Sequence, residues 1–85
     1  MAVATPDWLS RHDGTLRPSA DGRSWAVYFD QALQYVLILV PVQGKFGCRI
    51  SQTINGRRLD APGAHASEEE AVRAGLDHLR QQLGW

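Results

Sequence analysis

The residues of this chain that could transfer protons, attack an electrophile or hold a metal are few and scattered: His12 beside Asp13, His65, His78, Cys48 and the run Glu68-Glu69-Glu70. Acid/base work needs two titratable groups whose side chains converge. His12 and Asp13 are merely adjacent, just before Gly14, where turn and capping chemistry accounts for both. His65 follows Pro62-Gly63 in a loop, and His78 falls on the flank of a helical stripe, so both read as solvated or hydrogen-bonded imidazoles. Cys48 alternates with apolar residues and reads as a small buried hydrophobe. It is the only cysteine, so no internal disulfide can form, and no Cys/His spacing matches a structural zinc site. No G-x-S-x-G, H-E-x-x-H, P-loop or dinucleotide fingerprint occurs. The expectation is a non-enzymatic protein with no metal and no cofactor.

The glutamate run is explained by the element it heads. In "SEEEAVRAGLDHLRQQLGW", Ser67 followed three residues later by Glu70 is a capping box. Three acids in the first turn also suit the positive end of the helix dipole. Val72, Leu76, Leu79 and Leu83 recur at helical spacing as one narrow stripe, which predicts a surface helix over 67–83 with one buried face. Gly75 at the edge of the stripe permits close approach to a neighbour. Gly84 supplies a left-handed stop that would turn Trp85 back towards Leu79.

Ahead of that helix the pattern changes to alternation, and residues 24–60 read as a β-meander. "SWAVYFD" sets Trp25, Val27 and Phe29 against Ala26, Tyr28 and Asp30. After a connection at Gln31 to Gln34 comes "YVLILVPV", aliphatic on both faces, then a turn at Gln43-Gly44 and "KFGCRISQTI". Asn55-Gly56 is a strong type I′ hairpin signal, with Arg57 to Asp60 as a short charged edge strand. Residues 1–23 read as a short helix capped by Thr5 with Pro6 at its first position, then a loop, in which a hairpin over Asp21-Gly22 could pair Thr15 to Arg17 with the next strand. The fold class expected is α+β: a three- or four-stranded antiparallel meander, the carboxy-terminal helix packed on one face, and a short amino-terminal helix, all in one small domain over 1–85.

A two-residue loop at Gln43-Gly44 would pair Val42 with Lys45 and so fix the faces. Tyr35, Leu37, Leu39, Phe46, Cys48, Ile50, Ile54, Trp25, Val27 and Phe29 then share the face that beds the helix. Val36, Ile38, Val40 and Val42 share the other, bordered by Lys45, Arg49, Ser51, Thr53 and Arg58 and by Ala26 and Tyr28. Burying Val36, Ile38 and Val40 would stabilise by about 1.5–3 kcal/mol each, or about 5–9 kcal/mol together, comparable to the whole stability of so small a domain. Three covers for this outer face stay open: the chain's own Trp8, Leu9 and Leu16, a partner protein or second copy, or nucleic acid.

Charge bears on that choice. With 85 residues, 44% apolar and 21% charged, the composition is that of a folded chain, and nine basic against nine acidic residues lack the basic excess of a dedicated nucleic-acid binder. Yet Lys45, Arg49, Arg57 and Arg58 lie in a stretch, 45–58, without an acid. Met1 to Ser10 lacks the pattern of a secretory leader, and no apolar run approaches membrane-spanning length, so the expected setting is cytoplasmic and away from membranes.

The stretch "FGCRISQTINGRRLDAPGAHASEEEAVRAGLDHLRQQLG" resembles the end of the amino-terminal DNA-binding domain of tyrosine recombinases: a strand, a tight turn with "GRR", a loop, then "SEEEA" opening a helix that backs the sheet. The resemblance covers under half of the chain. It implies that the outer sheet face enters the major groove, with Arg49, Ser51, Thr53 and Arg58 at the DNA; the acid-free stretch adds Lys45 and Arg57 to the residues expected at a nucleic acid. The leading expectation from the residues themselves is an interaction module whose outer face binds protein, or a second copy of the chain, through Val36, Ile38, Val40, Tyr28 and Trp8. A sheet-reading nucleic-acid module is the alternative, and a stand-alone domain whose amino-terminal segment covers its own sheet is the other.

Overall fold

Two turns with both central residues in the left-handed region organise the sheet. The computed structural model describes residues 4–61 and 63–85; residues 1–3 of the stretch read for a leader, and Pro62 of the Pro62-Gly63 loop, lie outside the described residues. The elements are α1 (Asp7–Ser10), β1 (Gly14–Pro18), β2 (Ser24–Phe29), β3 (Ala32–Val42), β4 (Lys45–Gln52) and α2 (Glu68–Leu83). The strands form one antiparallel sheet in the order β1-β2-β3-β4. Gln43 (φ 49°) and Gly44 (φ 80°) make the β3–β4 turn and place Val42 opposite Lys45, the register expected. Asp30 (φ 51°) and Gln31 (φ 68°) close β2–β3 equally tightly, so β3 starts at Ala32, earlier than the sequence suggested. Primed turns of this kind match the right-handed twist of the strands they join.

Two details of the sheet depart from the sequence reading. The fourth strand is β1, paired with β2 so that Leu16 faces Val27; Arg57 to Asp60 instead runs extended beside β4, touching it in an isolated bridge between Arg58 and Ser51. Asn55-Gly56 does not form a type I′ turn, because only Gly56 has a positive φ. Gln52 N–H donates to Arg57 C=O at 2.7 Å and closes a four-residue loop, with Asn55 Oδ1 accepting from Arg57 N–H at 2.9 Å. That loop lifts Ile54 out of the sheet to 81% exposure, so it is not on the inner face.

Pro41 sits in an interior strand at no cost to the ladder. Leu39 N–H, two residues earlier on the same side, donates to Arg23 C=O beyond the end of β2, so no acceptor waits for a donor at position 41.

Helix α2 covers one face. Ser67 Oγ accepts from Glu70 N–H at 3.2 Å, and Gly84 (φ 75°) ends the helix with Gly84 N–H on Gln81 C=O and Trp85 N–H on Arg80 C=O, a Schellman pair. Val72, Leu76, Leu79 and the small Ala71 and Gly75 are buried against Leu37, Ile50 and Cys48. Trp85 does fold back, onto His12 (ring centroids 3.7 Å, nearly parallel) and edge-on to Phe29 at 5.2 Å.

The amino-terminal segment joins this same layer. Leu9 (0% exposed) and Leu16 belong to the core under α2, with Trp8 packed against it and 6.1 Å from Trp85. The expectation that Trp8, Leu9 and Leu16 could cover the outer face is therefore overturned. The closing pair Ser19–Ser24 (Ser19 N–H on Ser24 C=O, 2.8 Å) sets the parity of β1 and turns Leu16 inward. Pro6, not Thr5, caps α1; Thr5 Oγ1 instead accepts Leu16 N–H at 3.4 Å.

Candidate functional site

The histidines and the cysteine are not assembled into a reactive centre. Cys48 is buried, and desolvation, with the negative charge of Asp60 adding to it, pushes its thiol up to about 12. A thiol held protonated is a poor nucleophile. His12 is spent stacking on Trp85, and the backbone of His65 exchanges hydrogen bonds with Phe46 at 2.8 and 2.9 Å. Among the described residues no group of three or more His, Cys, Asp or Glu side chains could hold a metal ion, and no helix is long and apolar enough to cross a membrane.

What the fold leaves over is the outer face of the sheet. Its cross-strand rows follow from the register: Thr15–Tyr28–Leu33, then Arg17–Ala26–Val36–Ser51–Arg58, then Ser24–Ile38–Arg49, then Val40–Gly47 and Val42–Lys45. Ile38 is 41% exposed while its neighbour Leu37, pointing to α2, is 0% exposed. Leu33 and Val42 are exposed as well, and Val36 and Val40 are half-buried. The apolar strip is thus β3 itself, flanked on β2 by the small residues Ser24 and Ala26 and on β4 by Gly47 and Ser51 alternating with the cations Lys45 and Arg49, with Arg17 and Arg58 one strand further out in the Val36 row.

Leu33 and Arg17 are members that the sequence pattern does not announce. Strict alternation would put Leu33 on the inner face with Tyr35 and Leu37, but the register slips between Val27 and Tyr28, leaving Gln34 as the extra residue of a bulge. The bulge turns Leu33 outward opposite Tyr28, and Thr53 helps to hold it, donating its Oγ1 proton to Leu33 C=O at 2.8 Å and its N–H to Gln34 C=O at 2.9 Å. Arg17 takes its place through the β1 register and lies over the Tyr28 ring, 5.0 Å from its centroid.

Of the residues expected on this surface, Val36, Ile38, Val40 and Tyr28 are brought together. Trp8 is not, since it packs on the helix side with the buried layer. Lys45 and Arg49 are exposed beside Val42 and Ile38, whereas Ser51 is half-buried. Arg58 is engaged by Asp60 (2.7 Å), whose other oxygen accepts Ile50 N–H at 3.3 Å. Arg57 lies in the loop beyond β4, and Thr53 is committed to the bulge.

The edges of the sheet leave few free donors for an added strand. Along β4, Leu59 N–H donates to Ile50 C=O, Ala61 N–H to Cys48 C=O and Phe46 N–H to His65 C=O. Along β1, Leu16 N–H is taken by Thr5 and Pro18 has no N–H to offer. Blunted edges direct any partner to the face. No family model, curated protein or solved structure matches the chain.

Proposed function

We propose that this chain is a small non-enzymatic interaction module that binds protein through the outer face of its sheet. The observation that carries the reading is the side on which the amino-terminal segment lies: with Trp8, Leu9 and Leu16 spent on the α2 layer, no described segment covers Ile38, Leu33 and Val42. Aliphatic side chains stand along one strand of a sheet whose edges are blunted, and since Ile38 and Leu33 keep 41% exposure, a partner that buries the rest gains on the order of 1 kcal/mol at each. Exposed apolar strips with polar borders mark association sites.

Nucleic acid has less in its favour. Of the six side chains that would read it, Arg58 is neutralised by Asp60, Thr53 is tied to the bulge and Ser51 is half-buried. The centre of the face, which would meet base edges in the major groove, is aliphatic and has no hydrogen-bonding side chain between Val36 and Val42 of β3 to read them.

The test is amide NMR of the isotope-labelled full chain, recorded across a dilution series and with peptides selected against it by display. Protein binding by this face predicts shifts centred on Val36, Ile38, Val40 and Arg49. Shifts confined to α2 and the amino-terminal segment would overturn it.

A further inference from the structure

Resting on that reading, we infer that the partner is an amphipathic helix of another protein whose aliphatic stripe is flanked by aspartate and glutamate. The strip it must cover, Leu33 to Val42, is one strand wide and roughly 30 Å long at the rise of a β-strand. A single helix about 10 Å across spans three strands, so it covers β3 together with the small residues Ser24, Ala26, Gly47 and Ser51 on either side. With few donors left along either edge, the face is a better site than an added strand.

Charge names the chemistry of its flanks. Arg17 stands on β1 beyond Ala26, while Arg49 and Lys45 alternate with Gly47 and Ser51 along β4, directly beside Ile38 and Val42, and all three cations are exposed. Asp60, the acid at the β4 margin, is occupied by Arg58 and Ile50 N–H. Asp13 and Asp30 gather at the opposite end of the face, beside Tyr28, where Asp30 N–H donates to Asp13 C=O at 3.2 Å. The helix therefore places its carboxylates over Arg17, Arg49 and Lys45 and its neutral residues beside the β2–β3 turn, which sets where along its length the acids fall. A second copy of this chain fits less well. Two faces stacked by a two-fold axis through Val36 that runs across the strands set Arg17 on Arg17, and one that runs along them sets Arg17 on the Arg58 already paired with Asp60, so neither offers Arg17 a free acid in that row.

The experiment selects binders to the immobilised full chain from a displayed library of random peptides of about 16 residues, long enough for four helical turns. The expected winners carry aliphatics at helical spacing with acidic flanks, shift the amide signals of Ile38 and Arg49, and lose affinity as salt rises. The Arg17→Glu/Arg49→Glu chain should bind them at least roughly tenfold more weakly, and exchanging the peptide's acids for lysines should restore binding to that variant. Its far-ultraviolet circular dichroism checks that it folds, and Arg49→Gln serves as a milder second variant. Winners that map to this face yet carry neutral flanks and ignore salt overturn the acidic-helix inference alone. Winners that map elsewhere, an empty selection, or a duplex DNA oligonucleotide captured by the face in preference to any peptide overturn it together with the protein-binding reading.

Discussion

Gly75 of α2 lies against Cys48 of β4 with no room for a methyl group: a Cβ on Gly75 would stand 2.5 Å from Cys48 Sγ and 3.3 Å from Leu37 Cδ2. This contact sets how closely the helix approaches the sheet. It also leaves the inner face tightly filled, while on the outer face Ile38 keeps 41% exposure.

Gly75→Ala sets two effects against each other. Alanine improves helix propensity by about 1 kcal/mol, while overpacking a filled site costs about 1–3 kcal/mol. The neighbours on the sheet side are a short side chain and a leucine packed beneath the helix, so overpacking wins and urea denaturation should show a net loss. In a Cys48→Ala background Sγ is gone, and the same substitution should cost less or become stabilising. A Gly75→Ala chain more stable than the parent would contradict the contact.

Gly44 tests the opposite case. Its φ of 80° lies in the left-handed region, and nothing stands within 4 Å of where its Cβ would be. Gly44→Ala should therefore destabilise by about 1–2 kcal/mol through backbone strain alone, with no compensating partner anywhere in the sheet. Gln43→Asn, in the same turn at φ 49°, should gain a few tenths of a kcal/mol, because asparagine tolerates that region better. Thermal melts of the two variants moving in opposite directions is the expected result.

Cys48 gives a pH signature. Its thiol is raised from 9.0 to about 12 in the folded chain, so the stability linked to the neutral thiol is complete below about pH 9 and drains away as the pH rises towards 12. The slope is at most about 1.4 kcal/mol per pH unit. Denaturation measured at pH 8 and at pH 10 should show a larger loss in the parent than in Cys48→Ala. Near neutral pH the folded thiol should react with iodoacetamide at least about tenfold more slowly than in urea, because burial keeps it protonated and only part of that loss is offset by the greater nucleophilicity of a high-pKa thiolate.

The sequence made the repetitive elements legible and left the joints obscure. The capping box at Ser67, the stop at Gly84 and the Val42–Lys45 register all follow from local chemistry, and with the register came the separation of Leu37 from Ile38. The side taken by Leu16 depended on how the Ser19–Ser24 loop closes, and one residue more or less would have turned it outward over Val36. No propensity scale fixes that parity. Leu33 was hidden for a related reason, since a single bulge at Gln34 reverses its face. Ile54 carries a strand-like side chain, but β4 had already ended at Gln52, where the loop found its hydrogen bonds in Asn55 and Gly56.

The most direct test of the outer face is the dissociation constant of the Ile38→Asp chain for a peptide that binds the parent. Ile38 is already 41% exposed, so the substituted chain should stay folded, with a melting temperature near that of the parent; Ile38→Thr provides a gentler change should it not. Affinity should fall at least about tenfold, as expected when a charge replaces a side chain buried by the partner. Unchanged affinity in a folded Ile38→Asp chain would show that the strip along β3 is not where this protein meets its partner.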